Sequence, residues 1–253
     1  MNKTSIVFIG SIAIALSFVM IWRSNKQAQR TVPLDVLLVG TNAEYQPYSF
    51  IKNNTIVGLD IDIAREVAKR LGKSMELIDM PFDMLLPQLQ LGDIHLIAAG
   101  ISPTPERAKK VLFTQPYFEG DPLLIVSLRS TPPITNLDDL NGKEVIVNDG
   151  FTADAYMSAR QGPIVKRLAT PAEALLALKS GRAYAYVTAQ SSLHALPDTS
   201  AYAMVPIEGT YDSYALAISP RYKELLPEVQ QALDAMTADG TIATIKQKWG
   251  LVA

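Results

Sequence analysis

The residues best placed to do chemistry are Ser102, Thr104, Glu106 and Arg107, in the segment Ser102-Pro103-Thr104-Pro105-Glu106-Arg107 that follows an apolar run. Thr104 suits a helix N-cap and Pro105 the first helical position, which puts Arg107 in the first turn. A cation there opposes the positive end of the helix dipole, at a cost of roughly 0.3–1 kcal/mol, so something negative must offset it. A ligand carboxylate would do so, because a guanidinium grips a carboxylate with two parallel hydrogen bonds. The Ser102 hydroxyl and nearby N–H groups would add donors. A salt bridge to Glu106 or to another surface carboxylate is the plainer alternative.

Asp149-Gly150-Phe151-Thr152 forms a second candidate anion site, read as a strand-to-helix turn with Thr152 as its cap. Aromatic residues make a third group: Tyr45, Tyr48 and Phe50 after the first strand, Phe82 after a later one, and Tyr117 and Phe118 after Pro116. Ligands bind at strand ends in open α/β sheets, where such rings can sandwich a side chain, a cationic one included. Core packing is the competing role for each ring.

The elements that must position these groups alternate in type. Val36 to Thr41 reads as a strand buried on both faces. A helix capped by Asp60 runs to Leu71 and Gly72, with Ile63, Val67, Ala68 and Leu71 on its apolar face. Met75 to Met80 is a strand, and a helix from about Asp83 to Leu91 stops at Gly92. Pro87 fits that helix only near its first turn. Ile94 to Ala99 is the next strand. The second half repeats the rhythm, with strands at Glu144 to Asn148 and Ala183 to Thr188 around a helix opened by Thr170-Pro171-Ala172-Glu173. Tyr214 to Ile218 is a further strand, and helices from Ser219-Pro220 continue to Trp249. Such alternation predicts parallel sheets in two α/β lobes.

Composition removes several classes. The absence of cysteine excludes disulfides, thiolate metal sites, a cysteine nucleophile and a lipid anchor on cysteine. Two histidines, His95 and His194, are too few and too scattered for a zinc site, and no cofactor is expected. A formal net charge of -2 gives no sign of a nucleic-acid surface. The N-terminus differs from the rest: Lys3, an apolar run from Ser5 to Trp22, then Arg23, Lys26 and Arg30. This is a signal segment or a membrane anchor, since about 20 apolar residues span a bilayer. The lack of a good small-x-small cleavage site favours the uncleaved anchor, and in either case the remainder is exported.

From Leu34 to the end, the chain resembles the polar amino-acid-binding proteins of ABC importers, the group that binds histidine, lysine, ornithine or arginine. The resemblance is carried by five ordered motifs. They are Gly40-Thr41-Asn42-Ala43-Glu44-Tyr45-Gln46-Pro47-Tyr48, Val57-Gly58-Leu59-Asp60-Ile61-Asp62, Phe82 to Leu89, Ile101 to Arg107, and Phe113-Thr114-Gln115-Pro116-Tyr117-Phe118. The end, Ala238-Asp239-Gly240-Thr241 through Lys248-Trp249-Gly250, is similar as well.

The resemblance implies two lobes joined by two crossing strands, with the ligand between them. Residues 1–33 would be the leader or anchor and its linker, 34–122 and 214–253 one lobe, and 123–213 the other. Tyr45 and Phe82 match positions that flank the ligand side chain, Ala99, Gly100 and Ser102 match backbone and hydroxyl contacts, Arg107 matches the carboxylate-binding arginine, and Thr152 matches a donor from the second lobe. The family's acidic partner for the ligand's α-ammonium falls at Ala189 here, leaving Glu44, Asp149 or Asp212 to replace it, or a ligand without that group. The function implied is capture of a basic, arginine-like amino acid by a monomer outside the cytoplasm, in the periplasm or tethered by residues 5–22, for delivery to an ABC permease. Alternatives are an enzyme resembling cyclohexadienyl dehydratases on the same scaffold, and a membrane-anchored sensor module.

Overall fold

The computed structural model describes residues 35–196 and 198–251, so the apolar N-terminal run read as a leader or anchor lies outside them. No helix among the described residues is long and apolar enough to cross a membrane.

In chain order the first elements are β1 (Val36–Thr41), β2 (Glu44–Tyr45), β3 (Ser49–Lys52) and β4 (Thr55–Val57), followed by α1 (Leu59–Arg70). Next come β5 (Ser74–Asp79), α2 (Phe82–Leu91), β6 (Leu96–Ile97), the short α3 (Pro105–Ala108), β7 (Leu112–Phe113) and the long β8 (Phe118–Leu128). Then follow β9 (Glu144–Asn148), α4 (Thr152–Ser158), β10 (Ile164–Leu168), α5 (Pro171–Lys179) and β11 (Ala185–Ala189). The chain closes with β12 (Tyr202–Tyr214), β13 (Ala217–Ile218), α6 (Leu225–Ala238) and α7 (Thr241–Lys248).

Two five-stranded sheets organise these elements, in the orders β5-β1-β6-β13-β7 and β10-β9-β11-β8-β12, with a small β2-β3-β4 sheet beside the first. Both large sheets are mixed rather than purely parallel. β1 runs parallel to β6, but β13 returns antiparallel to β6, and β8 and β12 are antiparallel to their neighbours. The reason is the path of the chain: β8 leaves the first half and β12 comes back, so one of each set must run against the rest.

Each sheet is covered on both faces. On the first, Leu37, Val39, Leu59, Ile63, Val67, Leu216 and Val229 pack on one side, and Leu85, Leu89, Ile94, Ile97 and Ile101 on the other. On the second, β8 shows the period-2 rule directly. Leu123 and Ile125 enter one core with Val145 and Val187, while Leu124 and Val126 enter the other with Ile146 and Leu178. β8 and β12 pair from Tyr202↔Leu128 to Tyr214↔Phe118, with register shifts after Pro206 and Asp212. Their far ends reach the first core, where the Phe118 and Tyr214 rings stack.

Several local expectations are corrected. Asp60 does not cap α1; Gly58 holds the N-cap position, and Asp60 turns inward to accept from the Gly100 N–H at 2.5 Å. Pro87 sits in the interior of α2, where its ring removes the N–H that would have reached the Asp83 carbonyl. The strand expected over Ile94 to Ala99 shrinks to Leu96–Ile97 because the chain turns at Gly100, at a φ of 59°. The strand expected over 214–218 is split: Tyr214 ends β12, and β13 holds only Ala217 and Ile218. The capping box at Thr170 and Glu173 is present as read.

Candidate ligand-binding cleft

The loop after β6 is built to present Arg107. Thr104 caps α3 by accepting from the Arg107 N–H at 3.3 Å, with Pro105 behind it. The guanidinium is buried, donates to the Ser102 carbonyl at 2.9 Å, and reaches across to the Gly150 carbonyl at 2.8 Å. It also lies over the Phe82 ring, 5.5 Å from the centroid. Glu106 is not its partner, being paired with Lys109 at 2.6 Å. Burial pulls the Arg107 guanidinium down to about 10, while Asp212 and then Tyr214 pull in the opposite direction. α3 is a single turn with Arg107 as close to its last carbonyls as to its first N–H groups, so burial rather than a helix dipole calls for negative charge, and Asp212 on β12 acts on the cation through space without an ion pair.

Asp212 gathers the hydroxyls of both halves. Ser102, on the first, donates to one carboxylate oxygen at 3.0 Å, and Thr152, at the start of α4, donates to the other at 2.5 Å. Thr152 is thus not a helix cap; Phe151 occupies that position, and the Thr152 hydroxyl is spent on Asp212. Burial raises the Asp212 carboxyl above its usual range, against the two hydroxyls that lower it.

Beside this pair, Tyr45 is buried, with its hydroxyl 2.6 Å from Ser191 Oγ and 2.8 Å from the Tyr214 hydroxyl. Asp121 completes that network. It accepts from the Ser191 N–H at 3.0 Å, from the Ser191 hydroxyl, and from Tyr214 at 2.5 Å. Burial, then the Asp121 charge, pushes the Tyr45 phenol well above its usual range. Gly100 is required where it stands: a Cβ there would meet Tyr45 Cε1 at 2.7 Å.

Two spaces result, with Phe82 as a common wall. The inner one is lined by Tyr45, Phe82, Gly100, Ser102, Arg107, Phe151, Thr152, Ala189, Asp212 and Tyr214, and its volume of about 10 Å³ admits about one water. The outer cleft, about 370 Å³, shares Phe82 and is lined by Asn42, Glu44, Asp79, Asp83, Asp149 and Arg167. Four carboxylates face one guanidinium there. Arg167 is already committed to Asp154 at 3.0 Å and lies 3.9 Å from Asp149, and no ion pair forms with Glu44 or Asp83 among the described residues.

The structure therefore brings Tyr45, Phe82, Gly100, Ser102, Arg107 and Thr152 to the inner cavity, and places Glu44 and Asp149 in the outer cleft. Ala99 lines neither; its methyl packs in the core with Leu85 and Ile101. Tyr48 and Tyr117 are core residues, and Phe50 packs edge-on against Trp249. Sequence reasoning missed Phe151, whose ring lies 4.7 Å from Phe82, as well as Tyr214, Ser191 and Asp121. Phe151 sat inside a segment already singled out, so its position in that turn was the available signal. The other three lack any local pattern. Among the described residues, no group of three or more histidines and carboxylates is placed to hold a metal ion.

A buried guanidinium, converging hydroxyls and aromatic walls between two α/β halves joined by paired strands define a solute-binding cleft. The chain belongs to the bacterial extracellular solute-binding proteins, family 3, whose model matches residues 37–252. It is 31% identical over 219 residues to ABC transporter arginine-binding protein 1 of Escherichia coli, covering 83% of this chain and 88% of that one. An ancestral arginine-binding protein solved with arginine superposes with a TM-score of 0.78 at 35% identity, over 85% of this chain and 98% of the other. An ancestral arginine-binding protein solved with glutamine gives a TM-score of 0.79 at 35% identity, over 86% of this chain and 99% of the other. The architecture is thus the two-lobed one of these proteins, and the chain is a binding protein rather than an enzyme.

Proposed function

We propose that this protein captures an amino acid with a cationic side chain, arginine first among them, between its lobes and presents it to an ABC permease outside the cytoplasm. In this reading residues 34–122 and 214–253 form one lobe and 123–213 the other. Arg107, Ser102 and Thr152 receive the ligand carboxylate, Tyr45 and Phe82 flank the side chain, and Gly100 leaves room for it beside Tyr45. Glu44 and Asp149, with Asp79 and Asp83, draw the cationic end into the outer cleft.

The observation that carries the reading is the buried guanidinium of Arg107, held by the carbonyls of Ser102 and Gly150 across the line between the lobes. Such a group binds a carboxylate strongly because little water competes for it. The acidic outer cleft supports a cationic partner, as do relatives named for arginine. The inner cavity is too small for an amino acid as it stands, so binding requires the lobes to part and close again. Closure is then driven by contacts that only the closed form offers.

Calorimetric titration of the purified protein with L-arginine, L-lysine, L-histidine and L-glutamine tests this. One-to-one binding with arginine the tightest is expected. Binding of none of the four overturns the reading, and a preference for glutamine overturns its cationic part.

A further inference from the structure

An α-amino acid brings two opposite charges to the inner cavity, and Arg107 with its neighbouring hydroxyls answers only one of them. A buried ammonium without a carboxylate partner costs several kcal/mol, so the cavity must also supply a negative group. The end of β11 offers none there, since Ala189 contributes only a methyl. Glu44 and Asp149 line the outer cleft and not the inner cavity. Asp121 faces Asp212 in register across β8 and β12, but it already accepts from three donors and does not line the cavity. Asp60 is turned to the Gly100 N–H. Among the described residues, Asp212 is the one carboxylate that lines the inner cavity.

We infer that Asp212, on the hinge strand β12, is the counter-charge for the ligand's α-ammonium, and that it reaches this role by exchanging partners. Its two oxygens hold the hydroxyls of Ser102 and Thr152, the donors a ligand carboxylate needs. An arriving zwitterion takes those hydroxyls and Arg107 with its own carboxylate and gives Asp212 its ammonium in return. The charge count is unchanged by the swap. The arriving cation also relieves the repulsion between the facing carboxylates of Asp121 and Asp212. This inference rests on the amino-acid-binding reading above and assigns one residue to one group of that ligand.

The test compares an amino acid with its deaminated acid, so that only the ammonium differs. Titrations use L-arginine against 5-guanidinopentanoic acid, and L-glutamine against 4-carbamoylbutanoic acid, on the wild-type protein, Asp212→Asn, and Asp212→Asn with Ala189→Asp. The wild type is expected to favour the amino acid of the bound pair by about 100-fold or more. Asp212→Asn should bring that ratio to within about threefold, with the deaminated acid gaining affinity because its carboxylate no longer strands a buried charge when it takes the two hydroxyls, and Ala189→Asp should restore at least about tenfold. Should Asp212→Asn not fold, Asp212→Ser carries the same comparison. A ratio that survives the loss of Asp212, or equal loss of both ligands, overturns this inference and leaves the binding function standing. Failure of the wild type to bind any of the four overturns both.

Discussion

The carboxylate of Asp60 accepts the backbone N–H of Gly100 at 2.5 Å, tying the first turn of α1 to the loop that carries the cleft. Asp60 is fully buried, and desolvation pushes its carboxyl up to about 7, partly offset by the Gly100 N–H and the Tyr117 hydroxyl. One side chain thus links the stability of the first lobe to the shape of its binding loop.

A pH dependence follows. The folded protein binds the Asp60 proton more tightly than the unfolded chain, so stability falls as pH rises from about 4 to about 7 and levels off outside that window. Asp60→Asn keeps an acceptor for the Gly100 N–H and removes the buried charge. Urea unfolding at pH 4, 5.5 and 7.5 should show a slope in the wild type, on the order of a few kcal/mol, that is flattened in the variant.

Gly100→Ala should damage the protein twice over. Its φ of 59° is costly for any residue with a Cβ, and that atom would strike the Tyr45 ring. A loss of about 1–3 kcal/mol in stability is expected from the backbone, with weaker ligand binding because Tyr45 must move. Thermal melting and titration of one sample read both effects.

For Arg107, truncation to alanine leaves the Ser102 and Gly150 carbonyls without their shared donor and removes the cation whose charge Asp212 feels. Ligand affinity should fall by at least about 30-fold, the weight of a buried charge partner. Arg107→Lys keeps the charge but loses the planar fork that spans two acceptors, so it should recover only a part. Full affinity in Arg107→Ala would remove this residue from the site.

The outer cleft predicts a salt effect. Glu44→Gln together with Asp83→Asn removes two exposed charges, each worth about 0.2–1 kcal/mol toward a cationic ligand. Arginine affinity should drop by about two- to thirty-fold at low salt and lose part of its ionic-strength dependence, Asp79 and Asp149 remaining, with glutamine affinity unchanged. An equal drop for both ligands would place these carboxylates outside the side-chain site.

Local chemistry was legible in the chain itself. Thr104 and Pro105 fix the start of α3, Thr170 and Glu173 that of α5, and Gly92 the end of α2, because caps and turns depend on residues within four positions of one another. The same locality placed Arg107 just after that cap, but the helix is a single turn, Pro105–Ala108, so burial and not an opposing dipole leaves the guanidinium in need of a negative partner. What the sequence could not say was which partner. Asp212 lies 110 residues from Ser102 and 60 from Thr152, in a strand whose pairing with β8 shifts register beside it, and nothing local distinguishes it from Asp121. Asp60 likewise read as a helix cap until packing turned it toward Gly100. Contacts between distant segments are decided by how the sheets pack and how two strands cross between them, and a carboxylate goes where buried donors await it.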